Sequence, residues 1–188
     1  MGVRLRSGDE DAVNRVAHSV VSPTKEFTPR QIQVMLIAFF DIDSVVHHKF
    51  VLPGQTVNGH FYVQVLHRLR DAIRRKRRDK WQGEWFLHHD NAPSHTSLVV
   101  QQFLAEKNIP VITQAPFSPD LAPSDFCLFP TLKMGLKGTR FATMEDIRSN
   151  TTAELRKIPK VTVRRCFQQW QDRWSKCVCA QGSYCEGD

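Results

Sequence analysis

The sequence predicts an α/β fold, a single mixed sheet with helices packed on its faces, and three observations carry that prediction. Residues 32–41, "IQVMLIAFFD", form a nearly continuous apolar run without polar alternation, the pattern of a central strand covered on both sides. Residues 84–113 read as strand ("EWFLHHD"), helix ("SHTSLVVQQFLAEKN") and strand ("IPVIT"), an order that implies a parallel pair. Tyr62, Val65, Leu66, Leu69 and Ile73 recur at the spacing of one helix face, which gives that sheet a helix to pack against.

Each element follows in order. Residues 1–30 mix charged and small polar residues without a sustained period, and Pro23 and Pro29 punctuate them, so a loosely ordered N-terminal arm is expected ahead of one domain over 31–188. Asp41 closes the first strand. "VVHHKFVL" begins three residues later, a spacing that suits an antiparallel hairpin, and "PGQTVNG" supplies the turn before the helix that carries Tyr62. Ser94 is the expected N-cap of the helix after "EWFLHHD". A proline-rich loop, "APFSPDLAPSDF", then leads to two closing helices. The first opens with the capping-box pattern Thr143-Met-Glu-Asp146, and the second carries Val163, Phe167, Trp170, Trp174 and Val178 along one stripe, read as core rather than as a base-stacking platform.

A chain of 188 residues suits one domain with a sizeable core. Its formal charge of +7 and sequence pI near 9.4 favour a polyanionic partner such as nucleic acid. No eighteen apolar residues follow one another, and a soluble intracellular product with no membrane partner is expected. The five cysteines lack C-x-x-C spacing, which argues against a zinc knuckle or a disulfide framework and for reduced thiols. His88 and His89 are adjacent on a strand and point to opposite faces, so they do not make a zinc site with His95; His47 and His48 meet the same objection.

Two features carry chemistry. Asp41 and Asp90 each end a predicted strand, and Asp125 lies past the proline-rich loop at the start of a helical turn. Ligands bind beyond the carboxyl ends of strands in open α/β sheets, and clustered carboxylates are tolerated when a cation sits among them; oxygen ligands alone favour Mg²⁺ or Mn²⁺ over zinc. Strand-terminal aspartates are also ordinary turn and cap residues, and position alone does not decide between the two. The run "RLRDAIRRKRRDK" is equally open: eight of its thirteen residues are Lys or Arg. Its Arg74, Arg75, Lys76, Arg77 and Arg78 could contact a DNA backbone, signal nuclear import, or form a solvated helix face.

"HHDNAPSHT", "FSPDLAPSDFCLFPTLK" and "RCFQQWQDRW…YCEGD" resemble the mariner branch of the Tc1/mariner transposases, and 34 residues separate Asp90 from Asp125, the spacing that marks the mariner form of the DDE/D triad. "FFDIDSVVHHKFVLPGQTVNGHFY" is similar to the segment taken to bear the first aspartate. The resemblance, over residues 31–188, implies a ribonuclease-H-like fold and metal-dependent cutting and joining of DNA. It implies Asp41, Asp90 and Asp125 as catalytic ligands of Mg²⁺ or Mn²⁺, with Asp43 and Asp120 as bystanders. It further implies DNA as partner, nuclear localisation, a homodimer or a heterodimer with full-length relatives, and a role for "PGQTVNG" in docking a second subunit. Paired helix-turn-helix modules precede this domain in the family, and residues 1–30 do not look like them; a non-catalytic nucleic-acid-binding or dimerising remnant is the alternative reading. Relatives often have glycine where Ser44 stands, so the turn after Asp41 is strained if that position requires positive φ. The methyltransferase activity of relatives fused to a SET domain is not expected here.

Overall fold

The sheet has five strands in the order β3-β2-β1-β4-β5, and their directions determine where the site can lie. The computed structural model describes residues 16–24 as backbone, and residues 34–82 and 85–181 in full. The strands are β1 (Val16–Thr24), β2 (Val34–Phe40), β3 (Val45–Val51), β4 (Phe86–His89) and β5 (Val111–Thr113). The first three pair antiparallel, whereas β4 runs parallel to both β1 and β5. The helices are α1 (Gly59–Lys76), α2 (Arg78–Gln82), α3 (Pro93–Thr96), α4 (Leu98–Glu106), α5 (Phe129–Leu136), α6 (Met144–Lys157) and α7 (Lys160–Cys179).

The continuous apolar run of β2 is explained by helices on both sides. Val34, Leu36, Ala38 and Phe40 face one core with α5, α6 and α7; Ile37 and Phe39 face the other with α1 and α4. Alternate side chains of a strand point to opposite faces, so only a strand covered twice can be apolar at every position. The stripe expected on α1 is buried as predicted, with Ala72 added to it. Asn58 caps that helix by accepting from the Phe61 amide at 2.9 Å. Gly59 allows α1 to approach the α3–α4 junction, because a Cβ at that position would run into Ser97 Oγ.

Several expectations change. The stretch read as a loose arm contains β1, which lies in the middle of the sheet with strands on both sides; residues 1–15 and 25–30 lie outside the described residues. Ladder bonding to two neighbours holds this strand although its sequence, VAHSVVSPT, is only half apolar. Ser94 is not an N-cap, since α3 begins at Pro93 after Ala92 and α4 begins after Ser97. Helix α5 is an addition to the expected elements. Ser44 is not among the residues with positive φ, so the turn after Asp41 takes a serine without strain. The capping box of Thr143 and Asp146 is present in both directions.

Helix α7 does more than fill the core. Trp170 is fully buried, packs edge-on against Phe167, and donates its indole N–H to the Leu121 carbonyl at 2.9 Å. Arg173 donates to the Asp120 carbonyl at 2.8 Å. These bonds pin the proline-rich loop that leads to Asp125. The stripe ends before Val178, which is exposed. Trp170→Ala is expected to cost about 3–5 kcal/mol in denaturant unfolding, because it removes a large core ring. Trp170→Phe should recover most of the packing yet leave the Leu121 carbonyl unpaired, so its stability should fall between wild type and the alanine variant.

Candidate metal centre

Asp90 follows the last residue of β4, and the backbone then folds back through the short helix α3. Its Oδ1 accepts from the Ala92 amide at 3.0 Å and from His95 Nδ1 at 2.5 Å. Burial opposes ionisation of Asp90, but the His95 contact and the Ala92 N–H outweigh it, so the carboxyl titrates below its ordinary value. His95 is itself buried against Tyr62 and His89, and burial holds His89 neutral by pushing its pKa down to about 3.

Asp125 lies on a π-helical turn, Ser124–Leu128, whose amides Asp125 N and Phe126 N both donate to the Ala122 carbonyl. Its carboxyl is shifted the other way: burial and the nearby negative charge of Asp90 raise its pKa, and Lys133 offsets this only in part. The two aspartates are therefore within electrostatic reach of each other, one oriented by donors and one short of positive charge. That set suits a hard divalent cation, since Mg²⁺ keeps several waters and needs only one or two protein carboxylates beside substrate phosphates. Among the described residues no group of three His, Cys, Asp or Glu side chains gathers around one point.

Asp41 is not part of this site. Because β2 runs antiparallel to β1, and β1 parallel to β4, the chain leaves β2 and β4 in opposite directions, although their last residues, Phe40 and His89, lie one level apart on β1 at His18 and Ser19. His18 pairs with Phe40 on one side and with His88 on the other, which puts Asp41 and Asp90 three residue levels and two strand spacings apart, roughly 14 Å. Asp41 is buried and already neutralised. Arg77 Nε donates to its Oδ2 at 2.8 Å and Lys80 Nζ to the same oxygen at 2.9 Å. Its Oδ1 closes the β2–β3 turn by accepting from the amides of Asp43 and Ser44. Asp43, expected to be idle, accepts from Lys160 Nζ at 2.6 Å and from Lys80 Nζ.

The basic run divides in the same way. Helix α1 stops at Lys76, and Arg77 turns inward to Asp41. Lys76 Nζ donates to the Val46 carbonyl at 2.7 Å. Of the five cations expected on DNA, only Arg77 is drawn in; Arg74, Arg75, Lys76 and Arg78 remain exposed, with Arg74 paired to exposed Asp71. The cysteines Cys127, Cys166, Cys177 and Cys179 are free thiols. No helix among the described residues is long and apolar enough to cross a membrane.

The sheet order and the position of Asp90 and Asp125 define a ribonuclease-H-like domain of the transposase class, and comparison with known proteins agrees. A family profile described as transposase (partial DDE domain) matches residues 18–83. The Mariner Mos1 transposase of Drosophila mauritiana is 35% identical over 156 residues, 82% of this chain and 45% of that protein. The histone-lysine N-methyltransferase SETMAR of Homo sapiens is 28% identical over 153 residues, 81% of this chain and 22% of that protein. The crystal structure of the Mos1 catalytic domain superposes with a TM-score of 0.85 at 32% identity, over 94% of this chain and 87% of that one. The chain belongs to the mariner transposases. It spans less than half the length of the curated relatives it matches.

The opposite shifts of Asp41 and Asp125 predict opposite pH dependence. The lowered pKa of Asp41 gives stability that is present above its ordinary value of 3.8 and is lost as pH falls through the folded-state pKa. Asp41→Asn leaves Arg77 and Lys80 facing a neutral group, and its cost at pH 7 is expected to be about 3–5 kcal/mol, shrinking in acid. The raised pKa of Asp125 has the reverse sign: its contribution is most favourable below its ordinary value of 3.8 and is lost as pH rises through the folded-state pKa. Asp125→Asn should therefore leave metal-free stability equal or higher at pH 7, with the gain vanishing in acid. Urea unfolding between pH 3 and 7 measures both.

Proposed function

We propose that this chain is a mariner-type transposase catalytic domain that cuts and rejoins DNA phosphodiester bonds with Mg²⁺ or Mn²⁺ held by Asp90 and Asp125. The observation that carries the reading is the placement of Asp90 directly after the last residue of parallel strand β4, with Asp125 on the turn Ser124–Leu128, in a chain that superposes on the Mos1 catalytic domain. Burial and the neighbouring charge of Asp90 both push the Asp125 pKa up. Solved structures of the Mos1 catalytic domain include complexes with Mn and with Mg, which supports divalent-metal use by this domain. A cation there would polarise the phosphodiester and acidify the attacking water or 3′-hydroxyl.

The protein's own groups supply the rest. Asp90 is held through Oδ1, which leaves Oδ2 without those donors, and Asp125 sits on a turn anchored by α7. Arg74, Arg75 and Arg78 present positive charge to a DNA backbone. Mos1 has been solved as a paired-end complex with the left transposon end, which supports DNA as partner and assembly of two chains, the second being another copy or a full-length relative. A DNA substrate supports a nuclear location.

One observation favours a second reading. The strand beside β4 carries VAHSVVSPT, with no carboxylate, and Asp41 is committed elsewhere, so a third acidic ligand is missing among the described residues. In that case the domain binds DNA or dimerises without cutting. Nicking of supercoiled plasmid by the purified chain distinguishes the two. Mg²⁺- or Mn²⁺-dependent nicking in wild type and its loss in Asp90→Asn are expected; wild-type inactivity with both metals would transfer the assignment to the non-catalytic reading.

The DNA surface has its own test. Binding should weaken steeply with salt and depend little on sequence, because counterion release dominates. Replacing Arg74, Arg75 and Arg78 by Gln is expected to reduce the slope of log K against log salt by up to about 3, roughly 0.9 for each phosphate no longer neutralised. Arg77→Gln should instead lower stability, since its partner is Asp41.

A further inference from the structure

His95 is the buried, titratable group next to the proposed metal site that its neighbours hold most firmly. Its ring lies 4.0 Å from the Tyr62 ring centroid and stacks with His89 at 5.2 Å and 2° between planes. Tyr62 Oη in turn meets His89 Nδ1 at 3.2 Å, so helix α1 and strand β4 both brace the imidazole. His95 Nδ1 reaches Asp90 Oδ1, whereas Nε2 is buried with no hydrogen-bond partner among the described residues. An ionised carboxylate only accepts, so in this contact His95 donates from Nδ1 to Asp90 Oδ1.

The two oxygens of Asp90 are thereby made unequal. Oδ1 takes both available donors, the Ala92 amide and His95 Nδ1, and Oδ2 takes neither. We propose that His95 is a positioning residue that occupies Asp90 Oδ1 and so restricts Asp90 to one-oxygen coordination of a small divalent cation through Oδ2, setting both affinity and the preference for Mg²⁺ or Mn²⁺ over Ca²⁺. This rests on the reading of Asp90 as a metal ligand. The physical basis is general: groups that hydrogen-bond a ligating carboxylate fix its orientation, and Ca²⁺ accepts two-oxygen carboxylate binding and loose geometry while Mg²⁺ requires near-octahedral geometry.

The test uses binding by the whole purified chain rather than catalysis. Mn²⁺ affinity is read from the electron paramagnetic resonance signal of free Mn²⁺, and Ca²⁺ affinity by competition. His95→Asn keeps an amide donor near the Nδ1 position, His95→Gln moves the donor to about the Nε2 position, and His95→Phe keeps the ring without a donor. Expected is a loss of about 10–100-fold in Mn²⁺ affinity for His95→Phe, with a shift of the ratio toward Ca²⁺, and recovery of most of both in His95→Asn but not in His95→Gln. Equal Mn²⁺ affinity and equal Mn²⁺/Ca²⁺ ratio in the Asn and Gln variants would overturn the inference, and that comparison stands even if the Phe variant fails to fold. Mn²⁺ binding that is lost in Asp90→Asn but unchanged in all His95 variants would overturn the role of His95 alone. Absence of any Asp90-dependent Mn²⁺ binding in wild type would overturn the metal centre and this inference with it.

Discussion

A carboxylate taken out of water raises the free energy of the fold unless donors or cations face it, and Asp41, Asp43 and Asp90 meet that constraint with partners of their own. Asp41 is met by Arg77 and Lys80, Asp43 by Lys80 and Lys160, and Asp90 by His95 and a backbone amide. Among the described residues Asp125 has no ion pair, and its pKa moves up while theirs move down. Three carboxylates thus have donors or cations facing them, and the fourth lies near another carboxylate without one.

The same constraint links distant elements. The Asp41 and Asp43 cluster ties the β2–β3 turn to the α1–α2 junction and to the first residue of α7. Helix α7 also carries Trp170 and Arg173, which hold the loop before Asp125. Helix α1 contributes Tyr62 to the packing around His95. The charged clamp around Asp41 and the pair Asp90 and Asp125 therefore share the helices that support them.

Much of this is legible in the sequence, and the failures have one root. The doubly covered β2, the apolar stripe of α1, the parallel pair β4 and β5, and the capping box of α6 each follow from local pattern, because burial on a face imposes its period on the residues. Strand β1 leaves no such pattern, since Ser19, Ser22 and His18 interrupt it and Pro23 reads as a breaker. The strand next to Asp41 therefore turns out to run opposite to β4, which spacing along the chain does not reveal. His95 is visible in the sequence only as a metal ligand to be rejected; its role as a donor to Asp90 needs the turn through Pro93 and Ser94, which spacing does not specify.

The basic run shows how a dense charge pattern can serve two purposes on one helix. Arg77 and Lys80 are ion-paired inside the fold, whereas Arg74, Arg75, Lys76 and Arg78 are exposed, Lys76 also donating to the Val46 carbonyl. The break in helical geometry at Arg77, with φ −136° and ψ 62°, redirects the chain at the point where the roles change. Each internal pair cancels one charge of either sign, so the pairs leave the formal excess of +7 untouched. That excess must then be carried by cations with no carboxylate beside them, and among the described residues Arg75, Lys76 and Arg78 are such residues within the run. The field a DNA backbone meets is set by these outer charges, while the inner ones hold the turn that Asp41 closes. Composition alone weighs both groups equally, although only one of them is free to release counterions from a phosphate.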